Sequence, residues 1–212
     1  MVPIALVFVL STALTLLCST VPWLARLLPT WALIIGLVVG VTLSLVDAVL
    51  ALPFSPWTNL VVLVVAWSGG VLLGRSVAAR FRPFLLWFLC FSVVDALLAL
   101  GNYPQTPHSA GGSSPLLYAD FILVLSGGRF AINVVDVLLL TALAEHWHQR
   151  GASYLIALLP GVLGFLLADG LIAVTKLGIL PGIPFFTVGY VLTEGIYRYM
   201  SRRAAPPAKL AR

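Results

Sequence analysis

Residues 31–53 read WALIIGLVVGVTLSLVDAVLALP, an apolar run interrupted by a single charge, Asp47. At a rise of about 1.5 Å per residue, roughly 20 such residues cross the hydrocarbon core of a bilayer. The stretch therefore predicts a transmembrane helix, and six further runs match it, near 2–22, 58–75, 83–101, 129–146, 152–174 and 180–199. Composition agrees. Of 212 residues 61% are hydrophobic and 9% charged, with mean hydropathy +1.09, whereas a soluble domain carries about 25% charged residues. A water-soluble globule is excluded. The expected fold class is all-α: a polytopic transmembrane helix bundle of about seven spans, forming one domain over 1–200 with a basic tail at 201–212. The shorter apolar stretch 115–125 is expected to be a re-entrant or interfacial segment.

Charge sets the expected orientation. Arg26, Arg75, Arg80, Arg82, Arg150, Arg198, Arg202, Arg203, Lys209 and Arg212 all fall on one side if the N-terminus is outside and the C-terminus inside. Arg129 and Lys176 remain for the other side, and basic loops favour the cytoplasm. The chain is thus expected to be a multi-pass protein of the cell membrane. Its net charge of +5 is accounted for by topology and anionic lipid, so membrane lipid is an expected partner and nucleic acid is not. Trp23, Trp31, Trp57, Trp87 and Trp147 lie near span ends and are expected as interfacial anchors. The first run lacks a basic leader and a small-residue cleavage site, so it reads as a retained span. Cys18 and Cys90 lie inside apolar runs and suggest no disulfide framework.

Carboxylates inside a bilayer are costly, and each one is a functional candidate. Asp47, Asp95, Asp136 and Asp169 lie within spans and, counted along helices of alternating direction, in the same outer leaflet. Asp120 precedes span five on the outer side, and Glu194 is expected to pair with Arg198 four residues on. No His/Cys/Asp spacing predicts a metal site, and neither a phosphate loop nor a serine-nucleophile motif is present. No cofactor or metal is expected.

The segment 101–136, GNYPQTPHSAGGSSPLLYADFILVLSGGRFAINVVD, carries the most specific pattern. Gly101-Asn102, then Asp120-Phe121, then Phe130-Ala-Ile-Asn133-Val-Val-Asp136 follow one another on one expected side of the membrane. This order resembles the lipoprotein signal peptidase (signal peptidase II) family of intramembrane aspartyl peptidases. The resemblance covers residues 101–136 well and 31–146 in helix order, a peptidase-like core. Tyr103-Pro104 stands where the family has Asp-Arg, and Val135 where it has a small residue. By this resemblance Asp120 and Asp136 are the catalytic pair. Asn102, Arg129 and Asn133 are expected to bind substrate, with Asp47, Asp95 and Asp169 as supporting acids.

The chemistry needs two carboxyls sharing a proton, one ionised to activate water and one neutral to protonate the carbonyl. Asp136, expected about two turns into span five, meets Asp120 if 121–128 folds back, which Ser126-Gly127-Gly128 permits. Asn133 and Asp136 are three apart and are expected to share a helix face. Arg129 is expected to meet a lipid or substrate phosphate. Two functions are open: a peptidase cleaving a lipid-anchored or membrane-inserted peptide, and a small proton-coupled transporter or substrate-binding component built on the acids of spans two, four, five and six.

Overall fold

The computed structural model describes residues 4–50, 56–76, 80–101, 120–125, 128–175 and 182–204. Among the described residues seven helices follow in chain order with one hairpin among them. They are α1 (Ile4–Ala25), α2 (Thr30–Leu50), α3 (Pro56–Ser76), α4 (Phe81–Gly101), β1 (Asp120–Leu125), β2 (Gly128–Asn133), α5 (Val134–Gln149), α6 (Tyr154–Thr175) and α7 (Gly182–Ala204). The fold is all-α apart from the hairpin. Among the described residues four helices, α1, α2, α3 and α6, are long and apolar enough to cross a membrane. Asn102 and the tail from residue 205 onward lie outside the described residues; of Asp120 and Arg129 the backbone is described.

Helix α5 is the hub. It packs against α1, α3, α6 and α7, and every residue from Thr141 to Trp147 is buried. α3 runs parallel to it at very short range. A β-carbon at Gly70 would stand 2.5 Å from the Leu138 carbonyl oxygen, and one at Gly74 would stand 2.7 Å from Glu145 Cβ. Small residues are what allow two backbones to approach this closely. α6 and α7 form a second close antiparallel pair, with Gly164 against Phe186. α4 lies antiparallel to α7, and α2 packs chiefly on α3 at the edge of the bundle. α5 ends at Arg150, and the next residue, Gly151, has φ +69°. That left-handed conformation suits glycine and closes the helix.

One expected span begins differently. Residues 129–133 were expected to open a helix, and instead belong to β2, paired antiparallel with β1. α5 starts only at Val134 and is 16 residues long. The short 120–125 run is the other strand of that hairpin. A second correction concerns Trp147, expected at an interface: its exposure is 0%, and it packs among Tyr190, Tyr197 and the Arg150 guanidinium. Trp31 and Trp57, by contrast, are exposed.

Candidate functional site

Two polar regions interrupt the apolar bundle. The first lies at the end where the arginines gather. Glu145 is fully buried, and its Oε1 accepts from Arg75 Nε at 3.1 Å and Gln149 Nε2 at 2.6 Å. Arg75 also donates to the Ala25 carbonyl at 3.2 Å, tying in α1. Arg150 donates through both terminal nitrogens to Glu194, the Nη2–Oε1 bond measuring 3.2 Å. The expected Arg198 contact to Glu194 is present at 2.6 Å. The Arg150 guanidinium lies 4.5 Å from the Trp147 ring centroid and 4.9 Å from that of Tyr197. His146, buried completely, stacks on Phe84 at 4.2 Å and hydrogen-bonds the Tyr190 hydroxyl at 2.9 Å. The sequence carried the Glu194–Arg198 spacing, but neither the Arg150 partner nor the His146–Tyr190 bond.

The second region surrounds the start of α7. Asp95 Oδ2 accepts from the Ile183 backbone N–H at 3.0 Å, satisfying one of the free amides of a helix N-terminus. Pro184 in the same turn has no N–H to satisfy. The Asp136 carboxyl lies directly against this turn: a β-carbon at Gly182 would stand 3.1 Å from Asp136 Oδ1. Carboxylates are favoured here by the positive end of the helix dipole. Asp169 sits on antiparallel α6, five residues beyond Gly164, which faces Phe186. Asp169 is therefore level with the beginning of α7, and its Oδ2 is buried without a hydrogen-bond partner among the described residues. Asp95 continues into a polar pair one turn away, where Ser92 and Thr187 hydroxyls meet at 2.7 Å. Thr187 donates to the Ile183 carbonyl, so its oxygen accepts the Ser92 proton.

Asp47 is not part of this group. α2 is antiparallel to α3, with Gly36 facing Ser68 and Gly40 facing Val65, which puts Asp47 level with the start of α3. Asp136 is level with Ala66 by the Gly70–Leu138 contact. The separation along the helix axes is roughly 14 Å.

The hairpin joins Asp120 to this level. Its register sets Asp120 opposite Asn133 and Leu125 opposite Gly128. Asn133 is the N-cap of α5, not a member of it, and its side-chain oxygen accepts from Val135 N at 2.8 Å. Asp136 is therefore in the first turn of α5 rather than two turns in. The Asn-x-x-Asp spacing expected to share a helix face is an N-cap residue followed by an acid in the first turn, a stabilising pattern in its own right. One strand-to-strand step and one helical turn separate the Asp120 and Asp136 Cα atoms, at most roughly 10 Å. Arg129 stands opposite Val124, beside the hairpin turn and in a strand rather than a helix. Along β2 it is four residues, roughly 13 Å, from Asn133.

Among the described residues no cluster of His, Cys, Asp and Glu has the arrangement to hold a metal. A cavity of about 360 Å³ between α1, α2 and α3 is lined by Leu24, Leu33, Val64 and Trp67, among others, and no acid lines it. Comparison with protein-family models, with curated proteins and with solved structures returned no match.

Proposed function

We propose that this chain is a multi-pass intramembrane aspartyl peptidase resembling lipoprotein signal peptidase, with Asp120 and Asp136 as its catalytic pair. Seven spans, N-terminus outside and C-terminus inside, put the arginine-rich end in the cytoplasm and the hairpin in the outer half of the membrane. The observation that carries the proposal is the hairpin register, which sets Asp120 opposite Asn133, one helical turn from Asp136. Irregular and strand backbone is tolerated at membrane depth only where it is buried in protein or lines a water-filled cavity. A hydrolase needs water there.

In the reaction the ionised member of the pair takes a proton from water as its oxygen bonds the scissile carbonyl carbon. The neutral member gives its proton to the carbonyl oxygen, yielding a neutral gem-diol. Collapse of the diol breaks the C–N bond: the departing amine takes the proton that the base gained from water, and a diol hydroxyl gives its proton to the other carboxylate, restoring one neutral and one ionised acid. The mechanism requires one of the two to be neutral, a state that low-dielectric surroundings and repulsion between neighbouring acids favour. Arg129, one strand-length from the pair, would reach the outer interface and meet a lipid or lipopeptide phosphate, since half a hydrocarbon core is about 15 Å.

The test is cleavage of a diacylglyceryl-modified precursor peptide by the purified protein in liposomes. Asp120→Asn, Asp136→Asn and the double variant are each expected to lose cleavage by at least about a thousandfold, without summing, because the two residues work as one unit. Full cleavage by Asp120→Asn would defeat the assignment. A second reading, a proton-coupled transporter, is supported by the shared level of Asp95, Asp136 and Asp169 around the α7 start. It needs no contribution from Asp120, so retained function in Asp120→Asn together with loss in Asp136→Asn would favour it.

A further inference from the structure

We infer that the groove between α1 and α2 holds an acyl chain of an anionic phospholipid, with its phosphate at the arginine-rich end; this stands independently of the peptidase reading. The two helices are joined by residues 26–29 alone, yet they pack on different neighbours, α1 chiefly on α5 and α6 and α2 on α3. They leave a gap between them whose floor is α3. This is the cavity of about 360 Å³, within the range of roughly 300–1,000 Å³ in which small ligands are held. Its lining selects hydrocarbon. Leu17, Val21, Leu24 and Leu28 recur at spacings of three and four along one wall, and Val64 and Trp67 line the floor. The hydroxyls of the lining are engaged by the protein: Thr20 donates to the Leu17 carbonyl at 2.7 Å, and Ser68 Oγ lies against Gly36. An apolar cavity of this kind stays dry.

Position and charge name the occupant. Leu17, Leu24 and Leu28 are exposed as well as lining the groove, so it opens sideways, and all three helices around it are long and apolar enough to cross a membrane. What lies beside such an opening is lipid. The depth fits one leaflet: Val64 is eleven residues before Arg75 on α3, roughly 16 Å, and half a hydrocarbon core is about 15 Å. A chain entering at the arginine level therefore ends near the bilayer midplane. At that level Arg75 donates to the carbonyl of Ala25, a residue of the groove wall, at 3.2 Å. Arg26 opens the α1–α2 turn, exposed, with its guanidinium 5.6 Å from the Trp23 ring centroid. Glu145 balances Arg75, whereas among the described residues no ion pair engages Arg26. Its charge complements a headgroup phosphate, and basic pockets between membrane helices bind anionic headgroups.

The experiment uses the full-length protein in phosphatidylcholine liposomes with a trace of a photoactivatable lipid, either phosphatidylglycerol or phosphatidylcholine carrying a diazirine midway along one acyl chain. Cross-linked residues are mapped by mass spectrometry. The exposed α2 positions Val38 and Val41 report ordinary contact with bulk lipid and should be labelled equally by both probes. Groove residues 17–28 and 64–68 should be labelled about fivefold more by the phosphatidylglycerol probe, the preference that one basic residue near the surface supplies. Unlabelled phosphatidylglycerol should displace that labelling. Arg26→Gln, at an exposed position, should cut the preference to less than about twofold, and Ala32→Phe, which fills the groove from its wall, should abolish groove labelling while leaving Val38 and Val41 unchanged. Equal groove labelling by the two probes, or a preference that survives Arg26→Gln, overturns the inference. Labelling of Val38 and Val41 with none in the wild-type groove also overturns it, and means that another helix or a second copy covers the gap.

Discussion

The arginine-rich end and the level of the α7 start are both polar intrusions into an apolar bundle, and they are built in opposite ways. At the first, Glu194 has two guanidinium partners, Arg150 lies between two aromatic rings, and His146 is bonded and stacked. Charges there come in neutralising sets. At the second, three acids share a level; one caps a helix, one lies against glycine and one, Asp169, has a buried oxygen without a hydrogen-bond partner among the described residues, as Glu145 Oε2 has at the first. A buried network with matched charges holds helices together. Acids gathered at one depth are the arrangement that the proposed proton-exchanging chemistry calls for. The contrast is between a region whose described contacts are ion pairs and one whose described contacts are helix caps and a close glycine.

That contrast breaks most visibly at Arg150. Arg150→Met removes the bidentate partner of a nearly buried Glu194, leaving it Arg198 alone, and should destabilise the protein by about 1.5–3 kcal/mol, the usual loss of hydrogen bonds to a charged group. Thermal unfolding in detergent measures it, and the cleavage activity of the surviving folded fraction should stay near that of wild type. The double variant Arg150→Met, Glu194→Leu should recover much of the loss, since the one charge that then loses its partner, Arg198, is exposed to solvent. An equally unstable double variant would mean that the arginine acts through ring packing rather than pairing.

Gly70→Ala probes how the fold transmits to the site. A β-carbon there meets the Leu138 carbonyl at 2.5 Å and Thr141 Cβ at 2.6 Å, so α3 and α5 must move apart. Overpacking of this kind costs about 1–3 kcal/mol. Because α5 carries Asp136, cleavage should fall along with stability. Gly170→Ala is the matched control: no described residue lies within 4 Å of its β-carbon, and both readouts should hold. Equal behaviour of the two variants would detach the α3–α5 contact from the site.

Hydropathy located the helices to within a few residues, because a run such as 31–53 has no other stable form in lipid. It misplaced the start of α5. Phe130-Ala-Ile-Asn133 is too short to be told from a strand by periodicity, although the two short apolar runs flanking Ser126-Gly127 carried a hairpin signal. Glu194–Arg198 was legible as a spacing of four, while Arg150, 44 residues away, was not. Trp147 sits in the polar segment EHWHQR and so resembles an interfacial anchor; only the packing of α5 against α7 buries it. The common depth of Asp95, Asp136 and Asp169 followed from counting residues along helices. The exclusion of Asp47 required the α2–α3 register, and the capping role of Asp95 required the place where α7 begins.

The smallest effect sharpens the comparison furthest. Asp95 and Asp136 lie at the same helix start, yet they have different partners: Asp95 accepts the Ile183 N–H, and Asp136 lies one turn from the base of the hairpin. If Asp95 is a cap, Asp95→Ala should cost about 1 kcal/mol, the usual loss on removing a capping side chain. Asp95→Asn should recover most of that, since an amide oxygen still accepts from Ile183. Neither change should lower cleavage by more than a few-fold once corrected for the folded fraction, while Asp136→Asn, at similar stability, should be inactive. Thermal unfolding and cleavage measured on the same preparations give both quantities. An inactive Asp95→Asn of wild-type stability would join Asp95 to Asp136 as a functional acid, and the level around the α7 start would then be one site of several carboxyls, as the transport reading requires.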